Sequence, residues 1–162
     1  MSNENYEPLL IAFCCQYCSY SAADLAGSMR LQYPPNVRIV RTPCTGRLEV
    51  EFFMKAFEKG ADGILVAGCL EGGCHFTEGN LLAKGRVGYT RTFLSESGLE
   101  EERIRMINIS AAQARPLVDH INEMMATLKK LGPSPDCEAT AVCDEHPKHK
   151  QLDKSGQYFH HR

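Results

Sequence analysis

Four short strand-like segments, each followed by a segment of helical period, constrain this chain more than any other feature. Leu9–Phe13 is continuously apolar, as a strand buried on both faces requires. Val37–Thr42, Ile64–Ala67 and Ile104–Ile109 are the other three strands predicted. Ala22, Leu25, Ala26 and Met29 recur at helical spacing until Pro34-Pro35-Asn36 stops the pattern. Val50, Phe53, Met54 and Phe57 form an amphipathic stripe closed by Gly60. Between His75 and Ser97, Phe76, Leu82, Phe93 and Leu94 predict a weaker helix, diluted by Gly79, Gly85 and Gly88. The last stripe runs through Leu117, Val118, Ile121, Met124, Met125, Leu128 and Leu131 to Gly132. It starts either at a Ser110 cap with Gln113 in a capping box or nearer Arg115, because Pro116 suits a first turn. The order β-α-β-α-β-α-β-α predicts an α/β fold: a four-stranded parallel sheet flanked by helices, flavodoxin/Rossmann-like, with right-handed crossovers. No internal repeat interrupts it.

From Pro133 the pattern ends. The chain is therefore divided into an α/β domain over 1–132 and an extended, non-globular tail over 133–162, read as partner-binding. The tail's Cys137, Cys143, His146 and His149 match no common zinc spacing, so a partner-wrapping segment is favoured over a second metal site. Leu9–Cys15 is too short and wrongly flanked for a signal peptide, and no run approaches the roughly 20 apolar residues of a membrane span. A cytoplasmic protein with no membrane partner is expected. The net charge of −2 gives no general field for nucleic acid.

Eight cysteines in a reducing compartment point to metal or redox chemistry rather than a disulfide framework. Cys14, Cys15 and Cys18 follow the first strand, Cys44 the second, and Cys69 and Cys74 the third. In a parallel sheet those loops emerge together at the carboxyl ends of the strands, where ligand sites form. Four thiolates around one point suit a tetrahedral zinc ion or an iron–sulfur cluster. Cys14 and Cys15 are neighbours at a strand end and point oppositely, so they do not serve one cluster together. Cys15-x-x-Cys18 lies just before a helix start, which favours thiolates. The two glycines in Cys69-Leu-Glu-Gly-Gly-Cys74 let backbone approach the site. A thioredoxin-like dithiol at Cys15 and Cys18 leaves Cys44, Cys69 and Cys74 unexplained. The first β-α turn lacks the glycine pattern of a nucleotide or flavin site.

These residues carry a resemblance. Phe13-Cys-Cys-Gln-Tyr-Cys-Ser-Tyr-Ser-Ala-Ala-Asp-Leu-Ala-Gly27, Leu31-Gln-Tyr-Pro-Pro-Asn-Val-Arg38, Cys44-Thr-Gly-Arg47, Gly60-Ala-Asp-Gly-Ile-Leu-Val-Ala-Gly-Cys69, and Cys74-His75 with Glu78-Gly79-Asn80 occur in order. Together they resemble the delta (iron–sulfur) subunit of methyl-viologen-reducing [NiFe]-hydrogenase over roughly residues 9–131. The resemblance implies a [2Fe–2S] protein that relays electrons between a hydrogenase or formate dehydrogenase and the flavin-containing A subunit of heterodisulfide reductase. The implied setting is an electron-bifurcating complex of anaerobes. Family cysteines map onto Cys15, Cys18, Cys44, Cys69 and Cys74, one more than a cluster needs. Leu70 and Gly73 stand where members usually have His and Asp, which bears on hydrogen bonding near the cluster and on its potential. Cys14 is an addition to the motif.

The implied role has no catalytic residues of its own, and no acid–base pair is evident. The alternative reading is a zinc-stabilised protein-interaction module using the same thiolates. His75 reads equally as a tuning residue and as an ordinary loop histidine. Arg41, Arg47, Lys84, Arg86 and Arg91 read first as solvated charges and second as a basic rim for an acidic partner.

Overall fold

The computed structural model describes residues 6–134. It contains β1 (Leu10–Cys15), α1 (Ser19–Ser28), β2 (Val37–Thr42), α2 (Val50–Glu58), β3 (Gly63–Gly68), α3 (Gly79–Glu96), β4 (Ile104–Asn108) and α4 (Ala114–Leu131). All strand pairings are parallel, and the sheet order is β2-β1-β3-β4. The chain steps from β1 to β2 in one direction and from β3 to β4 in the other. The reversal lies between β1 and β3, so the crevice at their carboxyl ends is the topological switch point. The four-stranded parallel α/β fold is the one the sequence predicts. The tail from 135 onward, with Cys137, Cys143, His146 and His149, lies outside the described residues.

Alternation along the strands divides the core in two. Leu10, Ala12 and Cys14 of β1 and Leu65 and Ala67 of β3 pack with Leu117, Ile121, Met124 and Leu128 of α4. Phe13, Ile64 and Val66 face the other way, against Phe53 and Phe57 of α2 and Ala83, Val87 and Leu94 of α3. β1 runs two residues beyond the predicted apolar stretch, so Cys14 and Cys15 are its last residues and fall on opposite faces.

Several local expectations differ from the structure. Of the four apolar positions of the first stripe only Ala22 and Ala26 are buried, whereas Leu25 and Met29 are exposed, because alanines let α1 approach the sheet. The weak helix is continuous despite its glycines. Its inward face is Ala83, Val87, Thr90 and Leu94, while Phe76, Leu82 and Phe93 point outward. Tertiary packing of that stripe overrides the glycine propensity. Ser110 is not the cap of α4. The helix opens after Gln113, whose side chain accepts from the Ser110 N–H at 2.7 Å, and Pro116 sits in the first turn.

At the amino ends of the strands, Arg103 is 1% exposed. It donates to Glu100 Oε2 at 2.7 Å, to the Asp62 and Gly132 carbonyls at 3.1 Å each, and to the Pro133 carbonyl at 3.4 Å. The Asp62 carboxylate accepts from the Leu9 and Ser134 N–H groups. This network ties both ends of the described chain beneath the sheet. Arg103→Ala strands those acceptors, and a loss of about 3 kcal/mol in denaturant unfolding is expected, with the opposite pole of the domain unchanged.

Candidate metal centre

Three loops deliver the thiols. β1 ends at Cys15, and Cys18 immediately precedes α1. The connection is held by the Ser19 hydroxyl, which donates to the Ala67 carbonyl at 2.6 Å and so ties the β1 loop to β3. Cys44 precedes a 3-10 turn, Thr45–Arg47, and its sulfur accepts from the Gly46 N–H at 3.4 Å. Cys69 follows β3. Its carbonyl accepts from two side-chain amides, Asn108 at 2.6 Å and Asn80 at 3.1 Å. Asn80 is 1% exposed and also donates to the Leu70 carbonyl at 3.0 Å. Two donors from α3 and β4 thus fix the peptide that carries Cys69.

The Cys18 thiol donates to Cys69 Sγ at 3.0 Å, and Cys15 Sγ lies 3.7 Å from Cys69 Sγ. The three sulfurs lie within 4.8 Å of one another, and all three residues are buried. Cys74 packs against this trio. Cys44 and Cys74 meet at α3. A Cβ on Gly79 would stand 2.3 Å from Cys44 Sγ and 3.3 Å from Cys74 Sγ, and one on Gly46 would stand 2.7 Å from Gly79 Cα. The backbones of the Cys44 turn and the α3 start therefore touch, with both sulfurs against Gly79. All five thiols are free, as is Cys14, which stands apart from them, sealed in the apolar layer beneath α4.

The electrostatics follow from this packing. The hydrogen bond from the Cys18 thiol is the largest influence on Cys15. With the N–H groups of Tyr17 and Cys18 and the Cys69 thiol it outweighs desolvation and draws Cys15 down to about 5. Cys18 rises, because its single S–H is shared between the Cys15 and Cys69 sulfurs and burial disfavours its thiolate. Burial raises Cys44 and Cys69. At Cys74 desolvation also pushes upward. The N–H groups of Asn80 and Gly79 at the start of α3 and of Phe76 in the loop before it, with the Cys44 thiol, prevail and lower it. Burial pushes Cys14 up to about 12. In the metal-free protein the anion is therefore favoured at Cys15 and promoted at Cys74, while Cys18, Cys44 and Cys69 keep their protons until a bound metal displaces them.

These differences predict reactivity in the metal-free, reduced protein. Cys74 is only partly buried and has a lowered pKa, so its alkylation rate should level off at a lower pH than that of an ordinary thiol. Cys14 should be labelled last. Iodoacetamide mapping by mass spectrometry checks the order, and labelling of Cys14 before Cys74 would contradict it.

The sequence places all five candidate thiols at one sheet edge, and the structure brings them together there. What sequence reasoning missed is the support. Gly79 reads as a helix-weakening residue but is the contact that admits two sulfurs. Asn108 carries no local signal, because its role depends on where β4 ends beside β3. Tyr17 stacks on His75 with centroids 3.9 Å apart, and Phe76 packs edge-on against both rings. Of the five basic residues, Lys84, Arg86 and Arg91 are paired with Glu71, Glu49 and Glu101.

The family model described as methyl-viologen-reducing hydrogenase, delta subunit, matches residues 10–132, the whole described α/β unit. The chain belongs to this delta-subunit family. It is 48% identical over 129 residues to the iron-sulfur D subunit of an F420-non-reducing hydrogenase of Methanocaldococcus jannaschii, covering 80% of this chain and 96% of the relative. The iron-sulfur D subunit of the F420-non-reducing hydrogenase of Archaeoglobus profundus is 44% identical over 131 residues, covering 81% and 96%. The A subunit of a CoB-CoM heterodisulfide reductase of Methanosarcina acetivorans is 43% identical over 126 residues, which cover 78% of this chain but only 16% of that longer protein. A delta-type unit therefore also occurs as one part of a longer heterodisulfide reductase polypeptide. Among the described residues no helix is long and apolar enough to cross a membrane.

Proposed function

We propose that this delta-subunit-family chain is an electron-transfer subunit, and that four of Cys15, Cys18, Cys44, Cys69 and Cys74 hold one [2Fe–2S] cluster. The observation that carries this reading is the convergence of five reduced thiols from three loops on one switch-point crevice. The donor set fits the group. It is all sulfur, and backbone N–H groups face the Cys44 and Cys74 sulfurs. Glycine leaves room where a side chain would collide.

A bound cluster supplies reversible one-electron transfer. The residues do the rest. Buried Cys15, Cys18 and Cys69 keep water from one side. The Asn80 and Asn108 amides hold the Cys69 loop, and the α3 start stabilises negative charge at Cys74. Hydrogen bonds to sulfur and burial then set the potential.

The hydrogenase relatives support a hydrogenase as electron donor. Formate dehydrogenase, the other donor that the sequence resemblance implies, is the alternative. The Methanosarcina relative supports a heterodisulfide reductase A subunit as the other partner. A flavin in that partner, and a cytoplasmic, electron-bifurcating assembly of an anaerobe, are what the sequence resemblance implies. A zinc-stabilised interaction module is the second reading, favoured by the compact trio of Cys15, Cys18 and Cys69.

The test is a mixing experiment. The dithionite-reduced chain, freed of excess reductant, is mixed anaerobically with oxidised A-type flavoprotein. Bleaching of flavin absorbance matched by reoxidation of the cluster signal is expected. A chain that takes up no reducing equivalents would overturn the electron-transfer reading and leave the zinc module.

A further inference from the structure

We infer that the groove beside Cys44 is the docking surface for an acidic, apolar segment of the A-type flavoprotein. The inference rests on the electron-transfer reading above and assigns its surface. The groove encloses about 1090 Å³ between the carboxyl end of β2, the start of α2 and the start of α3, and Cys44 itself lines it. Phe52, Phe76 and Leu82 on its walls are 52%, 52% and 55% exposed. Three large side chains left in water around one concavity mark an interaction site rather than an ordinary surface. Electron transfer also needs its partner close to the sulfurs, and this groove reaches one of them directly.

Charge selects the occupant. Arg86 near the groove is held by Glu49 at 2.9 Å and by the Gly46 and Leu48 carbonyls, so it is already satisfied. Arg41 and Arg47 are exposed, and neither has an acidic partner among the described residues. Arg41 is instead held over the Tyr20 ring, 5.5 Å from its centroid. Glu78 is the one lining carboxylate outside the Arg86 pair. Two uncompensated guanidinium groups against one carboxylate leave a positive excess beside an apolar wall. A segment with aliphatic or aromatic residues flanked by Asp or Glu complements both features.

The experiment uses the full, cluster-loaded chain and the purified A-type flavoprotein. Binding is measured by calorimetry for wild type, R41E/R47E and the charge-matched control K129E/K130E, which lies at the far end of α4. Visible and EPR spectra confirm that each retains its cluster. Affinity is expected to fall at least about ten-fold for R41E/R47E and to stay near wild type for the control. R41Q/R47Q, which removes charge without reversing it, gives the same ranking where the reversed pair is unstable. Equal affinity for R41E/R47E and wild type would overturn the docking assignment, as would equal weakening by the control. No binding by wild type would overturn the partner reading and the assignment together. A photo-crosslinker replacing Phe52 should join to the flavoprotein. A crosslink to this chain's own residues beyond 134, or to a second copy, would give the groove another occupant and overturn the proposal.

Discussion

A Cys69→Ser chain, prepared without oxygen, is expected to lose nearly all of its cluster absorption and EPR signal while keeping its fold. Cys69 is the sulfur that both Cys15 and Cys18 approach, at 3.7 and 3.0 Å. A serine hydroxyl is close to isosteric but stays protonated at neutral pH and is a poor partner for a thiophilic metal. The backbone should not move, because the Asn80 and Asn108 amides grip the Cys69 carbonyl rather than its side chain. Far-ultraviolet circular dichroism should match wild type. An unchanged spectrum and iron content would remove Cys69 from the site. Cys14→Ala gives the contrast. It should lower stability by about 1 kcal/mol, through lost packing beneath α4, and leave the cluster in place.

Gly79→Ala carries the second large effect, and its sign separates two accounts of that glycine. Near the start of an ordinary helix, alanine for glycine stabilises by up to about 1 kcal/mol. Here the added methyl would overlap Cys44 Sγ at 2.3 Å, and the Gly46 backbone lies against the same turn. Neither side can withdraw without dragging a cysteine loop. Overpacking of this kind costs about 1–3 kcal/mol and outweighs the propensity gain. The expected result is a lower melting temperature and loss of most of the cluster absorbance. A variant that is more stable than wild type and fully loaded would show that Cys44 and Cys74 do not meet at Gly79. Gly88, with open space around its Cβ position, is the control, and its replacement by alanine should be neutral or stabilising.

The fold was largely legible because its signal is periodic. Short continuous runs such as Ile64–Ala67, bounded by Gly63 and Gly68, read as strands covered on both faces, and the stripe from Leu117 to Leu131 needs one apolar wall. Once a parallel sheet is inferred, placing Cys15, Cys18, Cys44, Cys69 and Cys74 at one edge needs only their order in the chain. The details that failed depend on neighbours distant in sequence. Leu82 and Phe93 suggested the buried face of α3, yet Ala83 and Val87 occupy it, because the sheet selects the narrower stripe. The convergence of Asn80 and Asn108 on one carbonyl depends on the ends of two different elements and leaves no local pattern. The pairing of Lys84, Arg86 and Arg91, and the exposure of Arg41 and Arg47 without acidic partners among the described residues, likewise became visible only in three dimensions.

The most direct test of the central claim is the composition of the metal centre. The chain is purified anaerobically, and iron, acid-labile sulfide and zinc are assayed on the sample used for visible and EPR spectra. About two irons and two sulfides per chain, with a signal that appears on one-electron reduction, are expected of a [2Fe–2S] protein. A colourless chain holding one zinc, and taking up no cluster on anaerobic reconstitution, would contradict the account and make the thiols a structural clasp.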